Sequence, residues 1–407
     1  MTVTNHMDTS VQNVDIAIVG GAMSGATLAL ALARLSQTST PFSVALIEAH
    51  IPDKAHPGFD ARSIAIAHGS IFELSRLGLW SRLSHLGTAI KNIHVSDRGH
   101  FGMTELNAAQ FYLDALGQVV ELERVGQVLF SELNNSDVKL YCPAKLAKVE
   151  PAIDGHTLVL NTGERIQAKL VVAADGLQSK VRSSFHLPVT QVAFEQTAII
   201  ANIQTDTPHQ HWAYERFTQT GPLALLPMGN IQGQPRLSLV WALDDERAKQ
   251  MQTAPKAEFL AALQQAFGYR AGKFIDVSAR HAYPLNLSYM PRPIHHRCVF
   301  IGNAAQTLHP IAGQGFNLGL RDVVSLLDVL KTALAQGEDI GSTAVTHAYL
   351  HAREQDRDST IRNIEFLVRG FSNQYWPLAL GRNLGLRLLS WFPPLKIPVA
   401  QKAMGWK

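Results

Sequence analysis

Two hydrophobic rhythms run along this chain, one with the period of buried strands and one with the period of amphipathic helices. Near the N-terminus the run Asp15 to Val19 (DIAIV) is β-branched and reads as a buried strand. It enters GGAMSG directly, and ATLALALARLSQ follows, rich in helix formers. A second apolar run, FSVALIEAH, carries Glu48 near its end. Strand, glycine turn, helix, strand and an acid about 20 residues past the turn predict a βαβ unit of dinucleotide-binding type. Gly20 permits the tight turn, Gly25 lets the helix approach the strand, and the helix N-terminus offers N–H groups to a diphosphate. Glu48 is suited to accept hydrogen bonds from both ribose hydroxyls of an adenosine. Ala22 occupies the middle glycine position of the pattern, where its methyl group crowds the diphosphate. An ordinary βαβ turn without a ligand is the alternative reading.

After Glu48 the stretch HPGFDARSIAIAHGSIFELSRLGLW predicts a loop and then an amphipathic helix, with Arg62 just ahead of that helix. A simple NAD enzyme would continue through further βα units in one block, and this chain does not. Arg62 suits a diphosphate or an electron-poor ring, or is a surface arginine. Far along the chain, LVVAADGLQSKVR (170–182) predicts a strand, a turn at Asp175-Gly176 and a helix start that Ser179 can cap. Later still, RCVFIGNAAQTLHPIAGQGFNLGLRDVVSLLDVL predicts a strand, a glycine-bearing loop and a helix from near Gly315. A loop of this kind before a helix exposes N–H donors at a positive dipole end, which suits a group that gains negative charge, such as the N1–C2=O edge of a reduced flavin.

Between these two segments the texture changes. TAIIANIQT, HWAYERFTQ, GPLALLPMG and RLSLVWAL predict strands of an antiparallel sheet, and NIHVSDRGHFG (92–102) adds a further strand pair. Tyr214, Arg216, Trp241 and Tyr283 are candidates to line a substrate site there, or are ordinary sheet packing.

Composition narrows the classes. The chain has 407 residues, 46% of them hydrophobic and 17% charged, which fits a folded protein of two or three domains. A net charge of +3 gives no general nucleic-acid footprint. Cys142 and Cys298 lie in strand-like runs and read as reduced core thiols. There is no bilayer-length apolar run, signal peptide, internal repeat or low-complexity tract, so the default address is the cytoplasm. The 17 histidines fall into no His-Glu-x-x-His or Cys-x-x-Cys pattern, and no metal site is expected.

The three separated motifs, in this order and spacing, resemble the FAD-dependent aromatic hydroxylases of the para-hydroxybenzoate hydroxylase type. GNAAQTLHPIAGQGFNLG, HPGFDARSIAIA, VSDRGHFG, LGQVVE and ERFTQTGPLALLPM look like the ubiquinone-biosynthesis branch, in particular its bacterial 2-polyprenyl-6-methoxyphenol hydroxylases. The resemblance covers nearly the whole chain. It implies an α/β fold: a Rossmann-like FAD-binding domain of the GR2 type built from separated segments (14–80, 104–186 and 297–345). A substrate domain of antiparallel sheet (81–103 and 187–296) is inserted, and a helical C-terminal segment (346–407) follows. It places Gly20, Gly21, Ala22, Gly25 and Glu48 at the ADP half of FAD. Arg62 and Gln118 fall near the ribityl chain and diphosphate, with Asp175 and Gly176 in the segment that serves FAD and the pyridine nucleotide. Asn303 stands where the wider family has aspartate; it keeps an acceptor for a ribityl hydroxyl and loses the charge. Pro310, Gly313, Gly315, Phe316 and Asn317 belong to the flavin-facing loop, Pro310 and Gly313 beside the oxygen-reaction site. His309 is an acid or base candidate there, or a loop histidine with a structural hydrogen bond.

The implied reaction is hydroxylation of a polyprenylated phenol with NAD(P)H and O2 through a C4a-hydroperoxyflavin, without metal or covalent protein nucleophile. A same-fold FAD reductase of prenyl lipids and a prenyl-binding protein without catalysis are the competing expectations. After Glu365 the last 42 residues hold six Lys or Arg and no Asp or Glu, interleaved with tryptophans. That composition suits peripheral contact with an anionic inner-membrane surface, or with other ubiquinone-biosynthesis proteins, or a helical cap on the domain.

Overall fold

The computed structural model describes residues 11–52, 56–58, 62–98, 102–308, 314–371, 397–398, 400–401 and 404–406. The first stretch forms β1 (Gln12–Val19), α1 (Met23–Thr38), β2 (Val44–Ile47), β3 (Ser63–Ala67), α2 (His68–Arg76), α3 (Trp80–Leu83), β4 (Thr88–Ile90), β5 (Asn92–Asp97), β6 (Met103–Asn107), β7 (Gly117–Glu121) and α4 (Leu122–Asn134). Next come β8 (Lys139–Tyr141), β9 (Leu146–Ala152), β10 (Gly155–Leu160), β11 (Arg165–Ala173) and α5 (Lys180–Ser184). The stretch after them gives β12 (Thr190–Thr205), β13 (Trp212–Phe217), β14 (Pro222–Ile231), β15 (Gln234–Asp244), α6 (Asp245–Thr253), α7 (Lys256–Phe267), β16 (Phe274–Val277), β17 (His281–Tyr289), β18 (Ile294–His295), β19 (Cys298–Phe300) and β20 (Gln306–Thr307). Two long helices, α8 (Gln314–Ala335) and α9 (Thr343–Phe371), follow.

The strands assort by burial pattern. β1, β2, β8, β11 and β19 pair in parallel in the order β19-β11-β1-β2-β8, with β18 beside β19 and β10 and β9 added antiparallel on β11. Ile16, Ala17 and Ile18 on central β1 are fully buried because both faces of the sheet are covered, which is why the run reads as continuous rather than alternating. One face carries α1, α4 and α8 through Leu28, Leu32, Leu129, Leu320 and Leu326. The second sheet is mostly antiparallel, in the order β20-β17-β12-β15-β14-β13-β5-β6, with β16 on β12. Its alternating residues Ile199, Ala201, Ile203, Leu223, Leu239 and Trp241 pack against α6 and α7. A small sheet, β3-β7-β4, lies between the two.

Several expectations change. SIAIA is strand β3, so Arg62 stands ahead of a strand and only then comes helix α2. The five residues are too short to betray a period, and their pairing with β7 decides the matter. The segment boundaries expected at 103, 296 and 345 fall inside paired structure: β6 runs to Asn107, β18 pairs with β19, and α9 starts at Thr343. Cys298 is buried in β19 as expected, whereas Cys142 is half-buried in a turn after β8; both are free thiols, and burial pushes the Cys142 thiol up to about 11.

Helices α8 and α9 are joined by a buried polar network. Asp322 on α8 accepts from the Gly302 N–H at 3.0 Å, from Gln306 Nε2 at 2.6 Å and, through its other oxygen, from Arg353 Nε on α9 at 2.8 Å. Arg357 Nε donates to Gln306 Oε1 at 2.8 Å, and Arg353 also pairs with Asp356. Asp322 and Arg353 are at most 1% exposed. Removing one member of such a pair strands a buried charge, at a cost of about 3–5 kcal/mol, while replacing both with apolar groups is often close to neutral. Asp322→Ala should therefore lower unfolding stability by roughly 3–5 kcal/mol in denaturant titration. Adding Arg353→Met should recover part of the loss; a double variant no more stable than the single would show that the stranded arginine is not the source.

Candidate functional site

The site is assembled where three parts of the chain touch at glycines. Gly20, after β1, has φ +99°, and a Cβ on it would lie 2.4 Å from the carbonyl oxygen of Ala174 at the end of β11. A Cβ on Gly25 would lie 1.8 Å from the oxygen of Gly20, so α1 can cross β1 only with hydrogen there. On the far side, a Cβ on Gly302 or Gly319 would come within 2.9 or 2.8 Å of Ser24 Oγ on α1. Arg182 closes the triangle: its Nη1 donates to the Ala304 carbonyl at 2.9 Å and its Nη2 to Leu177 at 2.5 Å. The three sequence motifs thus meet around the N-terminus of α1.

That N-terminus is bare. Ala22 takes the N-cap position with extended backbone and no side-chain cap, and the first turn contains no acid. Its N–H groups and dipole are available to an anion. The alanine has its own compensation, because Gly58 lies against it: a Cβ on Gly58 would sit 2.6 Å from the Ala22 methyl. The glycine missing from the motif is matched by one 36 residues later.

Glu48, at the end of β2, is 5% exposed. Its Oε2 accepts from the Gly21 N–H at 2.5 Å and its Oε1 from the His50 N–H at 2.8 Å, with His56 Nε2 3.3 Å from Oε1. Burial pushes the carboxyl up, but His56 and the two N–H donors outweigh it and hold it below its ordinary value. Glu48 is therefore an anion seated at the glycine turn, at the reach of a ribose. His56, itself 2% exposed, was not picked out by the sequence reading; its signal is the HPG of HPGFD.

Asp175 caps α5, accepting from the Lys180 N–H at 2.7 Å and the Val181 N–H at 3.2 Å, and Ser179 caps Arg182 at 3.1 Å. Burial raises the Asp175 carboxyl, with Ser179 and those N–H groups pulling the other way. Its Oδ1 is buried with no hydrogen-bond partner among the described residues. Gly176, at φ +80°, makes the turn. Asn303 is exposed on a short 3₁₀ turn, and Gly302 beside it is held at φ +54° by Asp322. Asp322, the aspartate of LRD in the third motif, is a positioning residue that the sequence reading passed over.

The flavin-loop candidates divide. Pro310, Gly313 and His309 lie outside the described residues. Gly315 opens α8, and a Cβ built on it meets no described atom within 4 Å. Phe316 packs onto the α/β core. The Asn317 side chain is directed at β3, where Oδ1 accepts from the Ala67 N–H at 3.0 Å and Nδ2 donates to the Ala65 carbonyl at 3.1 Å. Asn317 thereby ties α8 to the small sheet. Arg62 donates to the Pro57 carbonyl at 2.8 Å, and its guanidinium stands 5.1 Å from the centre of the Tyr283 ring, linking the glycine-turn region to β17. Gln118, on β7, lies against Gly87.

Three of the four lining candidates face the helices of the second sheet. Tyr214 and Trp241 are buried against α6 and α7, edge-on to Phe267 and Phe259, and Arg216 shares the Tyr214 face, 3.4 Å from Ser96 Oγ. Strand alternation turns their neighbours to the other side. Tyr283, opposite Ala198, is on that other side with Ile200, Val240 and Ala242. Both faces of this sheet are covered, so the sequence pattern does not tell which cover is helical.

The chain matches the model of the FAD binding domain family over residues 13–357. It is 34% identical to the ubiquinone hydroxylase UbiL of Rhodospirillum rubrum, over 96% of this chain and 89% of that protein. With the 3-demethoxyubiquinol 3-hydroxylase of Escherichia coli it shares 32% identity, over 97% and 99% of the two chains. Among solved structures it resembles Pseudomonas aeruginosa PqsL in complex with 2-aminobenzoylacetate, with a TM-score of 0.76 at 19% identity, covering 92% of this chain and 99% of that one.

The glycines now make different predictions. Gly25→Val should prevent folding, because its side chain would enter the Gly20 carbonyl. Gly315→Val should melt within a few degrees of the parent yet purify with little or no flavin, since the open space beside it is free of protein atoms among the described residues. Absorbance of the purified proteins and thermal melts check both; full flavin content in Gly315→Val would remove that glycine from the site.

Proposed function

Because the chain belongs to the FAD binding domain family, we propose that it is a flavoprotein monooxygenase that hydroxylates the ring of a polyprenylated phenol in ubiquinone biosynthesis, using NAD(P)H and O2. The observation that carries this reading is the closed triangle of glycine contacts around the uncapped start of α1. The residues fit FAD on their own terms: a bare helix N-terminus, an open position at Gly315, and a buried Asp175 oxygen without a protein partner. Two relatives that match nearly full length are named for hydroxylation in ubiquinone chemistry.

Hydride acceptance from NAD(P)H and activation of O2 are the chemistry that FAD supplies when bound. The chain's own residues do the rest. Gly20, Gly21, Ala22 and Gly25 let the diphosphate reach the N–H groups of α1, and Glu48 receives the adenosine ribose. Asn303 and Asp175 hold the middle of the cofactor, with Arg62 and Gln118 on the side of the small sheet. The first turn of α8, from Gly315 to Asn317, presents N–H donors to the ring edge that gains negative charge. The face of the second sheet turned away from α6 and α7, bearing Ile200, Val240 and Tyr283, forms an apolar wall that excludes water from the phenol.

Among the described residues, no helix is long and apolar enough to cross a membrane. The described end of the chain docks on the body: the Gly69 N–H donates to the Met404 carbonyl at 2.8 Å, and Trp406 packs on His68 and Phe72. We read the basic stretch before it, with Arg382, Arg387 and Lys396, as the part that meets an anionic lipid surface and collects the polyprenyl substrate. Those three residues lie outside the described ones.

Purified protein should be yellow and should consume NAD(P)H and O2 with formation of a hydroxylated product when a prenylated phenol is added. Oxidation of NAD(P)H without any phenol product would overturn the reading. Glu48→Ala should weaken FAD binding about 10–100-fold, as expected for lost charge-assisted hydrogen bonds, while kcat at saturating FAD stays unchanged. Changing Arg382, Arg387 and Lys396 together to Gln should reduce binding to anionic vesicles at low salt and spare turnover of a short-tailed soluble phenol, each charge contributing about 1 kcal/mol. Vesicle binding equal to the parent's would assign the tail to protein packing alone.

A further inference from the structure

The face opposite α6 and α7 is apolar around Ala198, Ile200, Val240 and Ala242, and it carries a glutamate on β13. Along this strand Tyr214 and Arg216 face the helices, and Ala213, Glu215 and Phe217 face the other way. Glu215 is flanked in register by Val95 on β5 and Ala224 on β14, and Ala224 is in turn opposite Val240 on β15. Two residues away on the same face, Ala213 packs on Ile90, Val119 and Ala65. The carbonyl of that same Ala65 accepts from the amide of Asn317 in the first turn of α8. Glu215 therefore stands on the face that these contacts link to the first turn of α8. Among the described residues no hydrogen bond or ion pair engages its carboxylate.

We propose that Glu215 is a catalytic residue that accepts the proton of the substrate's ring hydroxyl. The proposal rests on the hydroxylase reading given above. An aromatic ring takes up an electrophilic oxygen far faster as a phenolate, or with its O–H hydrogen-bonded to an anion, than as a neutral phenol. A carboxylate on that face with no partner among the described residues is the group the site offers for this. The O–H bond of the phenol breaks, its proton passes to a Glu215 oxygen, and the electron pair stays on the ring oxygen. One atom of O2 is then added to the ring, and the other leaves as water at the expense of NAD(P)H and a proton. The Glu215 proton returns to the oxygen of the resulting ring ketone, the displaced ring hydrogen departs to water as a proton, water supplies the proton that completes the new hydroxyl, and Glu215 ends ionised.

The surroundings agree. Burial pushes the Glu215 carboxyl up to about 7, with no charged neighbour as a cause. The titratable groups on the elements facing the same space are otherwise engaged or at its margin. Asp97 lies at the far end of β5 opposite Phe217, Glu121 on β7 is paired with Arg236, and Arg62 is set over Tyr283. His281, at the start of β17, is exposed. A base near neutrality is matched to proton transfer from a phenol at cellular pH.

The test compares the FAD-loaded parent with Glu215→Gln and Glu215→Asp, using a soluble ortho-prenyl phenol. In the parent, kcat/KM should rise with pH through about 7 as Glu215 ionises. Glu215→Gln should bind FAD normally, lose roughly 10²–10⁴-fold in kcat/KM and lose that acid limb, with Glu215→Asp recovering part of both. A second readout is independent of turnover. The folded carboxyl titrates above its unfolded value, so its ionisation disfavours the folded state progressively as pH rises from the unfolded pKa to about 7. Glu215→Gln should then melt above the parent at pH 8 and lose that advantage at pH 4. A parent that hydroxylates the phenol, with a Gln variant of unchanged kcat/KM and acid limb, overturns the role of Glu215 and leaves the hydroxylase reading intact. A flavin-loaded parent that makes no hydroxylated product overturns the hydroxylase reading and this proposal with it. Equal melting temperatures of parent and variant across the range would show that Glu215 is not the buried ionising group.

Discussion

Everything at the site depends on close approaches where no Cβ fits. The Gly20 turn touches the end of β11, α1 touches the Gly20 carbonyl through Gly25, and the third motif touches α1 at Ser24 through Gly302 and Gly319. The helix start so placed has no side-chain cap, and the N–H groups of its first turn are left for an anion to satisfy.

The second sheet is placed by a different kind of contact. Its helical side is an ordinary apolar core of Ile199, Leu239, Trp241 and Phe259. Its other side is turned to the cofactor segments and is fastened there by few polar contacts: Arg62 over Tyr283, Arg236 with Glu121, and the β20 strand that follows the third motif and pairs with β17. The spacing between this face and the cofactor segments is thus set by backbone pairing and a few side-chain contacts.

Much of this was legible in the sequence because glycine and β-branched residues carry backbone requirements directly. The βαβ unit, the Asp175 turn and the start of α8 all follow from residue types whose allowed conformations are narrow. What escaped was whatever depends on tertiary partners. SIAIA becomes a strand only because β7 pairs with it, and Ala22 is tolerated because Gly58, far off in sequence, yields room. Asp322 looks like any polar residue of a helix until Gly302, Gln306 and Arg353 are seen around it. Tyr214, Arg216 and Trp241 lie on the helical side of the second sheet, one residue of alternation from the other face. With both faces of the sheet covered, the apolar pattern reports burial and is silent on which cover is protein and which is ligand.

The parallel sheet also has a history imposed by synthesis. Central strand β1 is complete after residue 19, yet its neighbour β11 begins at residue 165 and β19 at 298. At ordinary elongation rates the ribosome needs roughly 7–30 s to add the roughly 145 residues between β1 and β11, the strand that closes its free edge. For that interval β1 and β2 carry fully apolar faces and an open edge, and the glycine turn has nothing to close upon. The nascent chain therefore emerges with the central strand of its sheet first, and that strand's second partner follows only after the whole small sheet and α4 have been made.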